Sequence, residues 1–130
     1  MTVVAELKLK EQVKSDLVKV EAFLEESLHT GSEDFNQLIR PLSAAGGKRL
    51  RARLCLLIAG AGQSDEKERV AMAAAVEMLH LATLIHDDVL DQAEVRRGAE
   101  AIHCSKGNKV AILSGDYLFA KAFDIVAEVG

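Results

Sequence analysis

Three carboxylates stand within five residues, at Asp87, Asp88 and Asp91, and two arginines follow at Arg96 and Arg97. Asp87 and Asp91 are four residues apart, so an α-helix would place them on one face. Mg²⁺ prefers hard oxygen ligands and often takes one or two carboxylates when phosphate fills the rest of its shell. Arginine is well suited to bind that phosphate. The spacing indicates a magnesium and phosphate site, although a solvated acidic helix end would show the same pattern.

His80 strengthens this interpretation because it shares a helix face with two of the aspartates. At about 100° per residue, His80, Asp87 and Asp91 fall within roughly 40° of one another around a helix. The segment 71–85 is otherwise apolar except for Glu77. A polar stripe on an apolar helix costs free energy unless it is paired or faces water. We therefore interpret His80 as part of the site rather than as a core histidine.

A basic cluster forms a second candidate anion site, with the sequence Gly-Gly-Lys-Arg-Leu-Arg-Ala-Arg at 46–53. Glycines let the backbone approach an anion, a helix start offers N–H groups, and cations neutralise charge. The pattern is not a P-loop. Lys48 and Arg51 share one helix face, whereas Arg49 and Arg53 point elsewhere. The cluster predicts a diphosphate cradle that uses half of its cations, and a basic surface turn is the alternative.

Composition limits the class of protein. The chain has 130 residues, of which 49% are hydrophobic, 4% are aromatic and one is proline, a balance that favours helices. The net charge of −4 gives no reason to expect binding to nucleic acid. Cys55 and Cys104 lack metal-ligand spacing, so unpaired thiols are expected. Without a signal pattern or an uncharged apolar run of spanning length, we expect a soluble, cytoplasmic protein.

Apolar residues recur at helical spacing in five segments, which predicts an all-α fold. The first helix includes the apolar positions of 13–28. The second is capped by Ser32 and bent or broken near Pro41. The third follows the paired glycines and ends at Gly62. The predicted apolar face of this third helix consists of Leu50, Leu54, Leu57, Ile58 and Ala61.

The fourth helix, with Ser64 as its predicted cap, extends from about residue 65 to the acidic motif. Its segment 71–85 is apolar on all sides, which is typical of a central, buried helix. A loop over 97–107 follows, and Asn108 caps the last helix. The apolar residues of that helix are Val110, Ile112, Leu113, Leu118, Phe119, Phe123 and Val126. Because they lie on more than one face, we expect a large exposed patch if half of the bundle is absent, and either self-association or helix swapping would cover it.

In chain order the motifs are Gly-Gly-Lys-Arg-Leu-Arg, His80 in an apolar helix, Asp-Asp-x-x-Asp, Arg-Arg-Gly, and the tetrapeptide Gly115, Asp116, Tyr117 and Leu118. Over about 38–123 this order resembles the N-terminal part of the trans-prenyltransferases, the polyprenyl (isoprenyl) diphosphate synthases. The resemblance implies an antiparallel helix bundle of the isoprenoid synthase type. It also implies a magnesium-dependent transferase that condenses isopentenyl diphosphate with the carbocation of an allylic diphosphate.

The resemblance assigns roles to individual residues. It implies that Asp87 and Asp91 are the principal Mg²⁺ ligands, that Asp88 supports them, and that Arg96 holds the allylic diphosphate. The residues that it implies for binding isopentenyl diphosphate are Lys48, Arg51, His80 and Arg97. Ala82, one turn before the first aspartate, is small, as is its neighbour Thr83. In having small residues at these positions, the chain resembles the synthases that make longer chains.

The chain departs from the family pattern in two respects. Ala52 and Ala101 stand where proline is usual, and no second aspartate-rich motif occurs. We therefore expect 1–130 to be the N-terminal portion of a synthase domain, which alone would bind diphosphate weakly and turn over little or nothing. Dimerisation is expected from the resemblance, most simply as a homodimer.

Two other functions remain open at this point. The chain could be a non-catalytic small subunit of a heteromeric prenyl synthase, although the intact Asp-Asp-x-x-Asp motif argues against a purely regulatory role. An HD-type metal phosphohydrolase would pair His86 and Asp87 with His80 or His103. That interpretation leaves the basic cluster and the Arg-Arg-Gly motif unexplained.

Overall fold

Helices pack around one long central helix. A computed structural model describes residues 2–129, apart from the side chain of Ala99. Within this range the elements are α1 (Val3–Leu28), α2 (Glu33–Ala44), α3 (Leu50–Ala61), α4 (Glu66–Asp91), β1 (Val95–Arg96), β2 (Ala99–Glu100), α5 (Ile102–Lys106) and α6 (Asn108–Val129). The all-α prediction is confirmed, since the strands add only a two-residue antiparallel ladder.

The central helix is α4, as its apolar sequence predicts. Helices α1, α3 and α6 pack against it, and Ala74, Met78 and Ala82 are fully buried. Burial of a side chain the size of Met stabilises a fold by about 1.5–3 kcal/mol. Among the described residues α4 is also the one helix long and apolar enough to cross a membrane. However, 56% of its most apolar stretch is buried within the bundle, and core helices pass the same test.

A buried ion pair fixes α1 against α4. Arg69 Nε donates to Asp16 Oδ2 at 2.7 Å, and Arg69 Nη1 donates to the Ser64 carbonyl at 3.1 Å. The hydrogen bond with Asp16 raises the pKa of Arg69 despite its burial. Because removal of one partner would leave an unpaired buried charge, this pair ties the register of the two helices.

Two local predictions about helix ends are wrong. α2 is not broken at Pro41 but continues to Ala44, where the Pro41 carbonyl accepts a hydrogen bond from the Ala45 N–H at 3.1 Å. Ser64 does not cap α4. Its hydroxyl donates to the Ala59 carbonyl at 2.6 Å, and Asp65 occupies the cap position. The predicted cap at Ser32 is confirmed, since its side chain accepts from the Phe35 N–H.

The predicted apolar face of α3 is also wrong. Ala52 and Leu56 are the fully buried residues, whereas the leucines and isoleucine of the predicted face lie exposed. The Ala52 N–H donates a hydrogen bond to Glu77 on α4, which holds the Ala52 side of α3 against the core. The most apolar face of α3 is therefore left exposed. On α6 the exposure of several apolar residues agrees with the prediction. Those residues are Val110, Ile112, Leu113 and Phe123.

Candidate functional site

The basic cluster forms a turn between α2 and α3. Gly47 and Arg49 have φ angles of +65° and +52°, both in the left-handed region. An open cleft of about 180 Å³ lies at this turn, and its lining residues are Gly46, Lys48, Arg49, Leu50, Arg51, Glu77, His80 and Arg97. All four residues that the resemblance assigns to isopentenyl diphosphate therefore line one cleft, although they come from three separate parts of the chain.

The cleft is electropositive. Lys48 and Arg51 are exposed, whereas His80 and Arg97 are half-buried. Burial, followed by the nearby charge of Arg51, lowers the pKa of His80. Burial and the charge of Arg49 also lower the pKa of Arg97, although a guanidinium keeps its proton in proteins. An anion in the cleft would offset this repulsion and favour protonation of His80.

Arg49 has a different environment from the other cations of the cluster. It is only 8% exposed. Its Nε donates to Glu21 Oε1 at 2.6 Å, and its Nη2 donates to the Ser43 carbonyl at 2.6 Å. Its Nη1 lies 3.6 Å from Glu77 Oε2. The sequence indicated that Arg49 points away from Lys48, but not that it is buried, because its partners lie on α1 and α4.

Glu77 caps α3 from the neighbouring helix. Arg49 occupies the cap position of α3 and makes no side-chain cap hydrogen bond. Instead, the buried Glu77 carboxylate accepts a hydrogen bond from the Ala52 N–H at 2.9 Å. A carboxylate is favoured at this end of a helix by the helix dipole. Proline at position 52, which the family pattern led us to expect, would have no N–H to donate.

A tight hairpin sends Arg96 and Arg97 in different directions. The register of β1 and β2 leaves a two-residue turn at Arg97 and Gly98. Both turn residues have positive φ angles, +53° and +81°, as in the type I′ turns that fit the twist of hairpins. Arg97 lines the cleft, and its Nη1 donates to the Leu42 carbonyl on α2 at 2.8 Å.

Arg96 instead contacts the acidic end of α4. Its Nε lies 3.1 and 3.0 Å from the two carboxylate oxygens of Asp88, and its Nη2 also donates to Asp88. The hydrogen bond with Asp88, together with the charges of Asp88, Asp87 and Asp91, raises the pKa of Arg96. Asp88 is buried. The structure thus gives Asp88 an arginine as its partner, where the resemblance implied support of a metal ion.

Asp87 and Asp91 remain as oxygen donors, and both are exposed near the end of α4. Within 2–129, no group of three His, Cys, Asp or Glu side chains is placed to hold a metal ion. Mg²⁺ usually keeps several waters and takes one or two carboxylates together with phosphate oxygens. The donor set therefore fits a cation that is shared with a phosphate ligand.

His86 joins the acidic end of α4 to α6. Its Nε2 lies 3.0 Å from the Ile112 carbonyl oxygen and 3.3 Å from Asp116 Oδ1. A Cβ atom at Gly115 would overlap the His86 imidazole. The tetrapeptide motif that begins at Gly115 therefore positions α4, a role that the sequence did not indicate.

The histidines that a metal phosphohydrolase would need are not brought together. His80 lines the cleft, His86 packs on α6, and the His103 imidazole contacts the Ala93 carbonyl. Each of them therefore lies against a different part of the chain, and the geometry gives no support to an HD-type site.

Known proteins resemble this chain over most of its length. The model of the family described as polyprenyl synthetase matches residues 32–130. Nonaprenyl diphosphate synthase of Mycobacterium tuberculosis is 44% identical over 119 residues, which are 91% of this chain and 36% of that protein. Heptaprenyl diphosphate synthase component 2 of Geobacillus stearothermophilus is 39% identical over 91% of this chain and 37% of its own length.

Solved structures share the fold. A polyprenyl synthase from Caulobacter crescentus, complexed with calcium and isoprenyl diphosphate, matches with a TM-score of 0.84 at 37% identity. A geranylgeranyl pyrophosphate synthase from Lactobacillus brevis matches with a TM-score of 0.87 at 34% identity. Each match covers 92% of this chain and 37% of the solved chain. The chain therefore spans little more than a third of the length of these relatives.

Proposed function

Because the chain belongs to the polyprenyl synthetase family, we propose that it forms the substrate-binding part of a polyprenyl diphosphate synthase, a transferase of isoprenoid biosynthesis. The reaction condenses isopentenyl diphosphate with an allylic diphosphate to give a longer trans-polyprenyl diphosphate. The separation of two adjacent arginines carries the proposal. Arg97 lies in the cleft with Lys48, Arg51 and His80, whereas Arg96 lies beside Asp88. A reaction between two diphosphates needs two such sites.

The cleft is the proposed site of isopentenyl diphosphate. Lys48 and Arg51 are exposed and can move onto the ligand, while Arg97 is held by its hydrogen bond to the Leu42 carbonyl. The start of α3 adds the N–H groups that precede Ala52, whose own N–H donates to Glu77, and the positive end of the helix dipole. These residues bind and orient the diphosphate; none of them needs to act as a nucleophile.

The acidic end of α4 is the proposed site of the allylic diphosphate. Asp87 and Asp91 would hold Mg²⁺, which when bound neutralises the charge that builds on the leaving diphosphate. Arg96 is oriented by Asp88 and offers its remaining N–H groups to phosphate oxygens. The calcium and isoprenyl diphosphate in the Caulobacter crescentus synthase support this pairing of a divalent cation with a diphosphate.

Product length and assembly follow from the same premise. Ala82 is buried and small, and no aromatic residue occurs from 41 to 92, so we propose a longer-chain product. The names of the nonaprenyl and heptaprenyl relatives agree with this. We also propose a cytoplasmic homodimer. The component 2 relative favours a second possibility, in which the catalytic chain works with a different partner chain.

Calorimetric titration of the 130-residue chain with pyrophosphate and Mg²⁺ tests the two sites. We expect the unmodified chain to bind pyrophosphate weakly at both sites. The double variant Lys48→Gln with Arg51→Gln should weaken binding in the cleft, and the double variant Asp87→Asn with Arg96→Gln should weaken binding at the acidic end of α4. Lys67→Gln, on an exposed part of α4, removes a positive charge elsewhere and is the matched control. Equal binding by all four proteins would contradict the proposal.

An assay of isoprene condensation tests what the chain does alone. We expect little or no product from labelled isopentenyl diphosphate and geranylgeranyl diphosphate. Substantial condensation by the purified 130-residue chain would contradict this expectation, while the proposed binding sites would stand. Release of inorganic phosphate without condensation would instead indicate a hydrolase.

A further inference from the structure

We propose that Arg49 is a positioning residue for the diphosphate cradle, acting through Glu77 and the turn at Gly46. Arg49 keeps the turn in the conformation that presents Lys48 and Arg51, and it offsets the negative charge of Glu77 at the cleft wall. The inference rests on the proposed function of the cleft. It goes beyond that function because Arg49 itself is given no role as a ligand of the diphosphate.

The contacts of Arg49 join three parts of the chain. Glu21 on α1 accepts from Nε at 2.6 Å and from Nη2 at 3.2 Å. The Ser43 carbonyl near the end of α2 accepts from Nη2 at 2.6 Å, and Glu77 on α4 lies 3.6 Å from Nη1. A planar guanidinium can satisfy these directions together, whereas an ammonium group cannot.

The same guanidinium explains why position 46 is glycine. A Cβ atom built on Gly46 would overlap the Arg49 guanidinium. Gly46 has no positive φ angle in this structure, whereas Gly47 does. Gly46 is therefore required for close approach to Arg49, and Gly47 for the turn. The paired glycines of the cradle thus serve two separate physical purposes.

The negative charge of Glu77 explains why Arg49 affects the binding of an anion. Glu77 is 3% exposed and lines the same cleft as Lys48 and Arg51. One of its oxygens is bonded to the Ala52 N–H and the other faces Arg49. Without Arg49, a buried carboxylate would stand unpaired in a site meant for a diphosphate. Its charge would repel a diphosphate in the cleft.

A charge-deletion series tests the proposal, with pyrophosphate as the probe and calorimetric dissociation constants as the readout. We expect Arg49→Met to weaken pyrophosphate binding about tenfold or more. Adding Glu77→Gln to that variant should restore most of the affinity, because glutamine keeps an acceptor for the Ala52 N–H but has no charge. Arg49→Lys should fall between Arg49→Met and the unmodified chain.

Glu77→Gln also removes a buried charge that has lost its partner, so it should restore stability as well as affinity. Urea unfolding of each variant therefore accompanies the titrations, and binding is compared at a temperature at which every variant is fully folded, where a merely structural role would leave the affinity unchanged. Unchanged binding by Arg49→Met, or no recovery on adding Glu77→Gln, would overturn the proposal. If Lys48→Gln with Arg51→Gln also leaves binding unchanged, the proposed function of the cleft fails instead.

Gly46→Ala provides a second test that keeps every charge and holds even if Arg49→Met does not fold. The added methyl group should displace the guanidinium and weaken pyrophosphate binding several-fold. Gly31→Ala, at a position where an added Cβ meets nothing within 4 Å, should bind as the unmodified chain does. Equal binding by Gly46→Ala and Gly31→Ala would overturn the proposal.

Discussion

At the residue scale, neighbours in sequence have opposite roles in this site. Lys48 is exposed and available to a ligand, while Arg49 is buried and bonded to Glu21. Arg96 contacts Asp88, while Arg97 enters the cleft. In each pair the second residue, Arg49 or Arg97, has a positive φ angle, which redirects the chain between two cationic side chains. The backbone turns, rather than the residue types, therefore decide which cations face the ligand and which are buried or paired.

The titration of His80 provides a first prediction. Because burial and the charge of Arg51 lower its pKa in the folded chain, His80 should titrate below the usual value of about 6.5. Its contribution to stability is then present above the unfolded pKa and is lost as pH falls through the folded pKa. Pyrophosphate should raise the pKa of His80. NMR titration of the histidine resonances over about pH 4–9 measures the pKa of His80 with and without pyrophosphate. The His80→Gln variant assigns the His80 resonance.

A pKa at or above the usual value in the ligand-free chain would contradict the assigned burial of His80. An unchanged pKa at saturating pyrophosphate would show that the anion does not reach the cleft. His29 lies on an exposed part of the chain and is the internal control, since its resonance should not respond to the ligand.

The hydrogen bond between Ala52 and Glu77 provides a second prediction. Ala52→Pro removes a hydrogen bond to a carboxylate, whose loss destabilises the fold by about 1.5–3 kcal/mol. Proline also restricts the unfolded chain, which stabilises the fold by about 0.4–1 kcal/mol. We expect a net loss of about 1–2 kcal/mol in the free energy of unfolding. Urea denaturation measures it. In a Glu77→Ala background the loss should shrink, because the acceptor is gone, and an equal loss there would contradict the assignment.

At the element scale, the sequence predicted the long helices and most of their buried faces, but not the face that α3 buries. The start of α2 and the end of α3 fall at Ser32 and Gly62, as local signals predicted, whereas Asn108 is the first residue of α6 rather than the residue before it. The face of α3 depends on Glu77, which lies 25 residues from Ala52, so local periodicity could not predict it. The short α5 and β2 fall within the predicted loop over 97–107 and β1 lies just before it; none was predicted, since two to five residues carry too little periodic signal.

The contact between α4 and α6 provides a third prediction. Gly115→Ala would place a methyl group on the His86 imidazole, and such overpacking typically costs about 1–3 kcal/mol. Thermal or urea unfolding measures this, with Gly31→Ala as the control. Because the residues touch, the cost should fall sharply in a His86→Ala background. Additive effects of the two substitutions would show that Gly115 matters for another reason.

At the scale of the whole molecule, the residues implied for the site are held by α2, α3, α4 and the hairpin, while α6 supports them from outside. The residue types of the site were predictable because each motif is short and local. Their division between a cleft and an acidic helix end was implied by the resemblance. The buried pair of Arg49 and Glu77 was not, since it depends on how α1, α3 and α4 pack together.

The exposed face of α6 provides the last prediction. Ile112 and Phe123 are 44% and 61% exposed, and their spacing places them on one face of the helix. In a two-fold dimer each of them is buried twice, and burial of such a side chain contributes about 1.5–3 kcal/mol. We therefore expect the chain to self-associate, and Ile112→Glu with Phe123→Glu to weaken association about a hundredfold or more. Sedimentation velocity over a range of concentrations measures this. Val18→Glu, at an apolar residue of α1 that is 71% exposed, is the matched control. If Val18→Glu weakens association equally, or the α6 variant leaves it unchanged, the interface lies elsewhere.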